Sequence, residues 1–316
     1  MCLLKRLLWA LRIGLLLTGG LLITGCEPAG DPPLSVGSNV WAGYEALYLA
    51  RELDFFPDNS VALKELSSNT ETLRAFRQGQ LDIAALTLDE ALRLSEQITD
   101  LQILLVTNIS AGADKIISRP EINSVAQLKG KRIAVEEDSV GLYLLYQALQ
   151  KADLGLDEVV VVPSTVNQHL QLMQNNRANA VVTFDPTAYK LNQFGFTTLF
   201  DSTQVDGKIV DVLVSRKSLL ENRPQAVEQL LTGYWQGRDV LINNRQQAYP
   251  IVAGRLNVDE AALPAIYQNL LIPDKTMNDQ LLSDDLAVMI DDTGRFLQQR
   301  GLLTNPPDAG ALLGDK

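Results

Sequence analysis

The sequence predicts an α/β fold with helices on both faces of its sheets. Short β-branched or apolar runs alternate with longer helical patterns from residue 34 to residue 215, and a helical tail follows. The chain has 316 residues, of which 46% are hydrophobic and 21% charged. This length and composition suit one large globular domain or two smaller ones.

The predicted elements follow from these patterns in chain order. Strands are predicted at the apolar runs 34–38, 61–65, 82–86, 102–107, 131–135, 159–163, 180–184 and 210–214. Helices are predicted between them, near 44–54, 70–78, 89–96, 140–151, 167–175 and 187–193. The tail is predicted to form helical segments at 223–243, 246–256, 259–271 and 283–300 that cover the first part of the fold.

Two kinds of residue mark the element boundaries. Ser68 and Glu71 have the spacing of a capping box, and Ser124 and Gln127 repeat it. Gly79 is suited to the left-handed position that ends a helix.

A weak internal repeat accompanies the alternation. The segments that start at Leu73 and Leu170 both run from a helix through a left-handed turn, at Gly79 and Asn176, into a short apolar strand. An acidic residue follows at the next helix start in each case. Two lobes built to one plan would produce this pattern, and chance similarity between βα units is the alternative.

The N-terminus predicts export. Lys5, Arg6 and Arg12 precede or flank an apolar run that ends near Ile23, which is typical of a signal peptide over residues 1–25. A retained membrane-spanning helix is the weaker alternative because the run is short and contains glycines. The residues before Cys26 resemble a bacterial lipobox, which implies lipidation of Cys26, and residues 26–33 then form a tether. An ordinary signal peptide before a chance cysteine is the other interpretation.

Charge and composition exclude several functions. Three basic and no acidic residues precede Cys26, so cleavage lowers the formal charge from −11 to −14 and disfavours a nucleic-acid partner. Cys2 leaves with the signal peptide, Cys26 would be lipidated, and His169 is the single histidine. A disulfide, a cysteine- or histidine-based metal site and a serine-type triad are therefore not expected, and no cofactor or catalytic residue is predicted.

The turn between the first strand and helix contains Trp41, Gly43 and Tyr44. In α/β sheets, ligands bind outside the carboxyl ends of the strands, where glycine permits close approach and aromatic rings provide flat walls. Packing of Trp41 against the protein itself is the alternative.

Three further loops occupy equivalent positions. Thr87 follows a strand, although Asp89 beside it could be a helix N-cap. Residues 110–114, which include Ser110 and Asp114, suit either a crossover between lobes or a plain turn. The loop 136–141 ends at the start of a helix, where free N–H groups could hold a polar ligand, but its three acids would repel an anion.

Two acids are expected in unusual positions. Asp185 ends a predicted strand and Asp211 lies inside one, where an unpaired carboxylate is costly. Each therefore pairs with a basic residue or meets a cationic or hydrogen-bond-donating ligand. Acid/base catalysis by such a pair is a weak alternative, because nothing in the spacing makes them neighbours. His169 is expected at the surface or at its boundary.

Six ordered segments resemble a known family. They are SVGSNVWAGYEALYLARELDFF, TLRAFRQGQLDIAALTLDE, SAGADKIISRP, VAQLKGKRIAVEEDSVGLYLLYQAL, ANAVVTFDPTA, and the pair LFDST and IVDVLVSRKSLL. Over residues 34–245 they resemble the substrate-binding proteins of nitrate/sulfonate/taurine-type ABC importers. The resemblance implies a two-lobed type II periplasmic-binding-protein fold with a ligand cleft between the lobes and a helical C-terminal extension. Residues 34–111 and 212–316 would form lobe 1, residues 112–211 would form lobe 2, and the hinges would lie near 110–113 and 209–213.

The resemblance also implies a ligand-binding set. The positions that match the family's cleft, together with the loop residues and acids above, are Asn39, Trp41, Tyr44, Thr87, Ser110, Asp114, Ser139, Val140, Gly141, Asp185 and Asp211. Lys115 is the nearest basic candidate, and the other cleft segments are acidic or neutral. This departure disfavours simple oxyanions and favours an amine-bearing sulfonate or a neutral heterocycle such as a thiamine-precursor pyrimidine.

The expected function is capture of a small solute without a reaction. The partners implied are an ABC permease and its ATPase, since this chain has no nucleotide-binding G-x-x-x-x-G-K-[ST] stretch. The protein would be a monomer, lipid-anchored in the periplasm or at the cell surface. A ligand-sensing module for a signalling receptor is one alternative, and an enzyme on the same two-lobed fold is another.

Overall fold

The fold consists of two β-sheets with helices between their strands. The structure is a computed structural model, and it describes residues 31–314. The predicted signal peptide (1–25) and the lipidation at Cys26 lie outside the described residues. Residues 33–314 cluster as one unit.

The strands of the described part run in chain order as β1 (Leu34–Asn39), β2 (Val61–Leu66), β3 (Ile83–Thr87), β4 (Leu101–Ser110), β5 (Asp114–Ser118), β6 (Arg132–Val135), β7 (Val160–Pro163), β8 (Ala180–Phe184), β9 (Thr197–Asp201), β10 (Ile209–Arg216) and β11 (Leu270–Leu271). The helices up to residue 222 are α1 (Glu45–Glu52), α2 (Asn69–Arg77), α3 (Leu88–Ser95), α4 (Val140–Lys151), α5 (Val166–Gln174), α6 (Thr187–Gln193) and α7 (Lys217–Asn222). Those of the tail are α8 (Pro224–Asn243), α9 (Arg245–Leu256), α10 (Leu263–Tyr267), α11 (Lys275–Gln280), α12 (Leu286–Gln299) and α13 (Ala309–Leu313).

The sheets have mixed topology. The first has the strand order β11-β4-β10-β3-β1-β2, and the second has the order β7-β6-β8-β5-β9. The predicted α/β fold with a helical C-terminal extension is thus confirmed. The residue boundaries of the two lobes remain predictions.

The internal repeat corresponds to equivalent strands. β3 lies between β1, which is parallel to it, and β10, which is antiparallel. β8 likewise lies between parallel β6 and antiparallel β5. Gly79 and Asn176, which precede these strands, both have positive φ angles, of 71° and 57°. The repeated pattern therefore marks the same position in both sheets.

The two predicted crossings between the lobes, near residues 110–113 and 209–213, run side by side. β4 leaves the first sheet at Ser110, and β10 returns next to it with Ile209 opposite Ser110 in an antiparallel ladder. The turn after Ser110 requires Gly112, whose φ of 111° is unfavourable for other residues. That these crossings act as hinges stays a prediction.

The helical tail holds the first helix of the fold. Arg255 of α9 binds Glu45 Oε2 at 2.8 Å and Glu65 Oε2 at 2.5 Å, and its guanidinium lies over the Tyr48 ring at 3.5 Å. Because Glu45 is buried, it needs this partner. Tyr267 adds a hydrogen bond to the Ala42 carbonyl at 3.1 Å.

Several sequence-based expectations were wrong or shifted. β5, β9 and β11 were not predicted, and β5 was missed because it begins with Asp114 and Lys115 only a few residues after β4, a composition that is unfavourable for strands. The expected helix at 259–271 ends at Tyr267, because Leu270 and Leu271 pair with β4. Beside the confirmed Ser68 cap, Glu71 reaches the N–H of Ser67 and not that of Ser68.

His169 is buried rather than at the surface, with 1% of its area exposed. It lies on α5, one turn before the buried Met173. Burial lowers its pKa to about 4, so the imidazole is neutral.

None of the helices between residues 31 and 314 has the length and apolar character needed to cross a bilayer.

Replacing Gly237 with Ala tests the packing of the tail on α1. A Cβ at Gly237 would lie 2.1 Å from the Ala46 carbonyl oxygen, so Gly237→Ala should lower the free energy of unfolding by ~1–3 kcal/mol. Gly254→Ala is the matched control on α9, where no atom lies within 4 Å, and should raise that free energy by up to ~1 kcal/mol. Urea denaturation measures both values, and an unchanged midpoint for Gly237→Ala would contradict the close packing of α8 on α1.

Candidate binding cleft

Polar residues lie at the same edge of neighbouring strands in the first sheet. Asn39 ends β1 and Thr87 ends β3. Asp211 of β10 lies opposite Thr87 on one side and opposite Asn108 of β4 on the other. All four side chains are buried, so each needs hydrogen-bond partners.

The second sheet contributes a matching edge. Asp114 begins β5 and lies opposite Phe184, the last residue of β8. Asp185 follows Phe184, and Glu136 follows the end of β6. The short turn from Ser110 to Asp114 joins this edge to the first one.

The aromatic turn brings the two edges into contact. Residues 42–44 form one turn of 3₁₀ helix after Trp41. The Trp41 ring meets the Phe184 ring edge to face, with centroids 5.1 Å apart and an angle of 82°. Gly43 is required here, because a Cβ would lie 2.2 Å from the side-chain amide of Asn108 and 2.4 Å from Trp41 Nε1. Trp41 thus packs against the second sheet of the protein itself, which is the alternative that the sequence left open. This contact lies at the position where a cleft wall is predicted.

Asp211 has a complete set of donors. The Tyr44 hydroxyl donates to its Oδ1 at 2.5 Å. In the amide orientation that satisfies both ends, Asn108 Nδ2 donates to Asp211 Oδ2 at 3.0 Å, and Asn108 Oδ1 accepts from Trp41 Nε1 at 3.3 Å. Asp211 therefore pairs with no basic side chain, and the two aromatic residues of the turn belong to its network.

Four buried acids lie close enough to influence one another. Burial raises the pKa of Asp211 well above its usual range, and the negative charge of Asp114 raises it further. Burial raises the pKa of Asp114 to about 7 and that of Glu90 to about 8, with Asp89 adding to both. Asp89 itself has a raised pKa for the same reason, although Arg93 opposes the shift.

Asp114 and Asp185 differ in their partners. Asp114 is 4% exposed, and its Oδ2 atom has no hydrogen-bond partner among the described residues. Lys115 Nζ binds Asp185 Oδ2 at 2.7 Å, and the N–H of Tyr189 donates to Asp185 Oδ1 at 2.9 Å. The cleft's basic candidate is therefore already paired.

The predicted loop residues make local bonds. Thr87, and not Asp89, is the N-cap of α3, and its hydroxyl donates to Asp89 Oδ1 at 2.7 Å. Ser139 caps α4 by accepting from the N–H of Gly141 at 3.3 Å. Ser110 bonds the Ser202 hydroxyl at 2.7 Å and accepts from the N–H of Asp114 at 3.1 Å.

Hydrogen bonds also join residues that flank the two edges. Glu136 Oε1 accepts from the N–H of Thr70, at the start of α2, at 2.8 Å. Arg93 Nη2 donates to the Asp138 carbonyl at 2.8 Å. The N–H of Val140 lies 3.4 Å from Glu90 Oε1. These contacts span the first-sheet helices and the loop after β6.

Asn108, Phe184 and Glu90 also belong to this region but were not predicted, whereas Glu136 lies in the predicted loop 136–141. Thr107 and Asn108 are adjacent polar residues inside β4, which is a usable signal because buried amides need partners. No local sequence signal distinguishes Phe184 from the other apolar residues of β8. Its contact with Trp41 depends on the relation between two sheets, which local patterns do not encode.

Comparisons with known proteins agree with this architecture. The family model described as NMT1/THI5 like matches residues 41–248. A binding protein of Brucella abortus (strain 2308) is 27% identical over 173 residues, so the match spans 52% of this chain and only 53% of that relative. The taurine-binding periplasmic protein of Escherichia coli (strain K12) is 22% identical over 77% of this chain and 78% of its own length.

Solved structures share the fold. The alkanesulfonate-binding protein SsuA from Xanthomonas axonopodis pv. citri, bound to MOPS, has a TM-score of 0.74 and 18% identity, covering 90% of this chain and 99% of that one. The desulfurization enzyme DSZB has a TM-score of 0.64 and 18% identity, covering 88% and 95%. The same fold thus occurs in a binding protein and in an enzyme.

The buried acids predict a stability that falls as pH rises. Their folded-state pKa values lie above the unfolded ones, so the folded protein binds more protons between these values and each increase in pH favours unfolding. From about pH 5 to about pH 7, Asp114 alone contributes at most about 1.4 kcal/mol per pH unit. Urea midpoints across this range should decrease, and Asp114→Asn should flatten the decrease. Midpoints that rise with pH would contradict it.

Proposed function

Since this chain belongs to the NMT1/THI5-like family, we propose that it is the extracytoplasmic solute-binding component of an ABC import system of the nitrate/sulfonate/taurine type. It captures a small sulfonate, nitrate-like or nitrogen-containing solute in the cleft and delivers it to a permease. The names of the relatives are consistent with a solute-binding protein of this type. Which solute this chain binds depends on the residues of its own cleft.

One observation carries the proposal. The strand edges of two sheets meet through the Trp41–Phe184 contact, and the polar side chains of Asn39, Asp114 and Asp211 are buried beside it. Strand edges with convergent polar groups are where α/β folds bind small molecules. The remaining cleft residues proposed from the resemblance are Tyr44, Thr87, Ser110, Ser139, Val140, Gly141 and Asp185.

Capture operates by closure. The bonds from Glu136 to Thr70 and from Arg93 to Asp138 join elements of the two sheets, so separation of the edges would break them. A solute enclosed between the edges adds its own contacts to both sides. Binding thereby shifts the population toward the closed form.

The partners follow from this role. A permease and a separate ATPase supply passage and energy, while the protein acts as a monomer held to the membrane by a lipid on Cys26. Replacing Cys26 with Ser and following incorporation of radiolabelled palmitate into the full chain tests the anchor.

Two other functions remain candidates. A sensor that presents its closed form to a signalling receptor would use the same cleft. An enzyme is favoured by the structural likeness to DSZB. However, residues 31–314, the part of the chain that the structure describes, contain no cysteine, so none of these residues supplies a thiol.

Native mass spectrometry and calorimetric melting of the mature chain test the function. A panel of taurine, alkanesulfonates, nitrate, bicarbonate and thiamine-precursor pyrimidine should contain a compound that raises the melting temperature in proportion to its concentration and leaves the protein unchanged after incubation. Turnover of the compound would favour the enzyme. No shift together with no co-purified molecule would contradict solute binding.

Replacing Trp41 with Ala should weaken binding of the solute found in this way by tenfold or more, because we propose its ring as one wall of the cleft. Trp235→Ala, which removes a partly buried ring of α8, is the control and should bind as the wild type does. Isothermal titration calorimetry gives both affinities. Equal affinities would remove Trp41 from the site.

Glu136→Ala should open the cleft. Loss of the bond to the Thr70 N–H lowers the closed population, so the apparent solute affinity falls several-fold and the radius of gyration without solute rises in small-angle X-ray scattering. Glu137→Ala, at the exposed neighbouring position, is the control. An unchanged radius and affinity for Glu136→Ala would rule out this contact as a closing bond.

A further inference from the structure

We propose that the cleft selects a solute bearing a protonated amine or a similar N–H cation, and that Asp114 receives this group. The inference rests on the proposed solute-binding function and narrows its substrate class. It also assigns to Asp114 the role of specificity-determining residue.

Charge at the two edges favours a cation. Asp89, Glu90, Asp114 and Asp211 are all buried there. Two basic side chains of this region are already engaged, Lys115 with Asp185 at 2.7 Å and Arg93 with Asp89 at 3.6 Å. A negatively charged group of a solute would make ionisation of these acids still more costly, whereas a cation would favour their ionised forms.

The helix start in this region offers little to an anion. The N–H of Gly141 is directed to Ser139 Oγ at 3.3 Å, and that of Val140 lies 3.4 Å from Glu90 Oε1. A sulfonate or carboxylate would have to displace these bonds. An anionic part of the solute is therefore acceptable only at a distance from the acids.

Of the four acids named above, Asp114 is the one with a buried oxygen that has no partner in the described chain, and Glu136 Oε2, which flanks the cleft, is a second carboxylate oxygen of this kind. Both oxygens of Asp211 already accept, from Tyr44 and from Asn108. Asp114 Oδ2, by contrast, has no hydrogen-bond partner within residues 31–314, although only 4% of the residue is exposed. A buried acceptor of this kind is costly unless a ligand supplies a donor.

The position of Asp114 directs it toward the aromatic pair. Asp114 and Phe184 are opposite one another in the β5–β8 ladder, so their side chains lie on the same face of the second sheet. Phe184 contacts Trp41 from that face. Asp114 and the Trp41–Phe184 pair thus share one face of the second sheet, and aromatic rings attract cations as carboxylates do.

A second acceptor lies at the opposing edge. Asn39 Oδ1 is buried and also lacks a partner in the described chain, while its Nδ2 is 3.4 Å from the Val40 carbonyl. Asn39 ends β1, two residues before Trp41. An ammonium or amidinium group has several N–H donors and suits such a set, whereas a sulfonate or nitrate has none.

Matched pairs of probes test the class. The pairs are taurine and isethionate, 3-aminopropanesulfonate and propanesulfonate, and benzylamine and benzyl alcohol, each titrated calorimetrically into the mature protein. We expect at least one amine to bind, and each amine that binds to do so about tenfold or more tightly than its partner, because a charge-assisted bond is lost in the partner.

The outcomes distinguish failure of the amine preference from failure of the proposed solute binding. Equal or tighter binding of the amine-free members overturns the amine preference but leaves solute capture intact. Absence of binding by all six probes also overturns it, and a melting shift with another solute of the panel still supports capture.

Asp114→Asn tests the residue itself. The variant should lose the preference for the amine and bind both members of a pair with similar affinity. Asp291→Asn, an exposed acid on α12, is the matched control and should keep the preference. The urea midpoint establishes that Asp114→Asn is folded. If a folded Asp114→Asn variant retains the preference, another group receives the amine.

The pH dependence gives an independent measurement. The carboxylate must be ionised to hold a cation, and the pKa of Asp114 in the free protein is raised to about 7, so affinity for the amine should fall about tenfold from pH 8 to pH 6. The charged groups that surround Asp114 are Asp89, Lys115, Asp185 and Asp211. A fall that persists in Asp114→Asn would assign the titration to another of these acids, and an affinity that rises on acidification would show a protonated acid holding an anion.

Discussion

The buried carboxylate of Asp211 constrains the rest of the cleft. It lies on an interior strand between β3 and β4, so it can persist there only with donors for both oxygens. Tyr44 supplies one donor and Asn108 the other, and Asn108 in turn accepts from Trp41. The aromatic turn is therefore fixed by hydrogen bonds that end on a single acid. The Trp41 ring, which contacts the second sheet, is held in position by residues of the first sheet.

The chain path brings this network to the second sheet. β4 and β10 lie next to each other, and the turn through Gly112 starts β5 within a few residues. The carboxyl edges of both sheets are consequently close without a long linker. Arg255 and Tyr267 of the tail brace the helix and turn that carry Tyr44, so the distant C-terminal segment contributes to the geometry of the cleft.

Much of the fold could be predicted from the sequence because local patterns determine it. The strand β8 was predicted at 180–184 and the helix α4 at 140–151, with the bounds that the structure gives. The strand β5 was not, because its first residues, Asp114 and Lys115, have low strand propensity, and the ion pair of Lys115 with Asp185, beside the neighbouring strand β8, is not visible in the local sequence. Tyr44 and Asp211 were both chosen from the sequence, but their bond spans 167 positions and no local pattern reports it.

Gly43 limits how this cleft can diversify. Any side chain there would meet the amide of Asn108 and the indole nitrogen of Trp41, which are two members of the network around Asp211. Divergence toward a new solute is thus blocked at the centre of this buried turn and must proceed through its flanks or through the second sheet. A mutant library that randomises residues 41–44 together would consist mostly of misfolded loops, whereas one that keeps Gly43 and Asn108 and varies β5 and β8 would sample specificity on an intact scaffold.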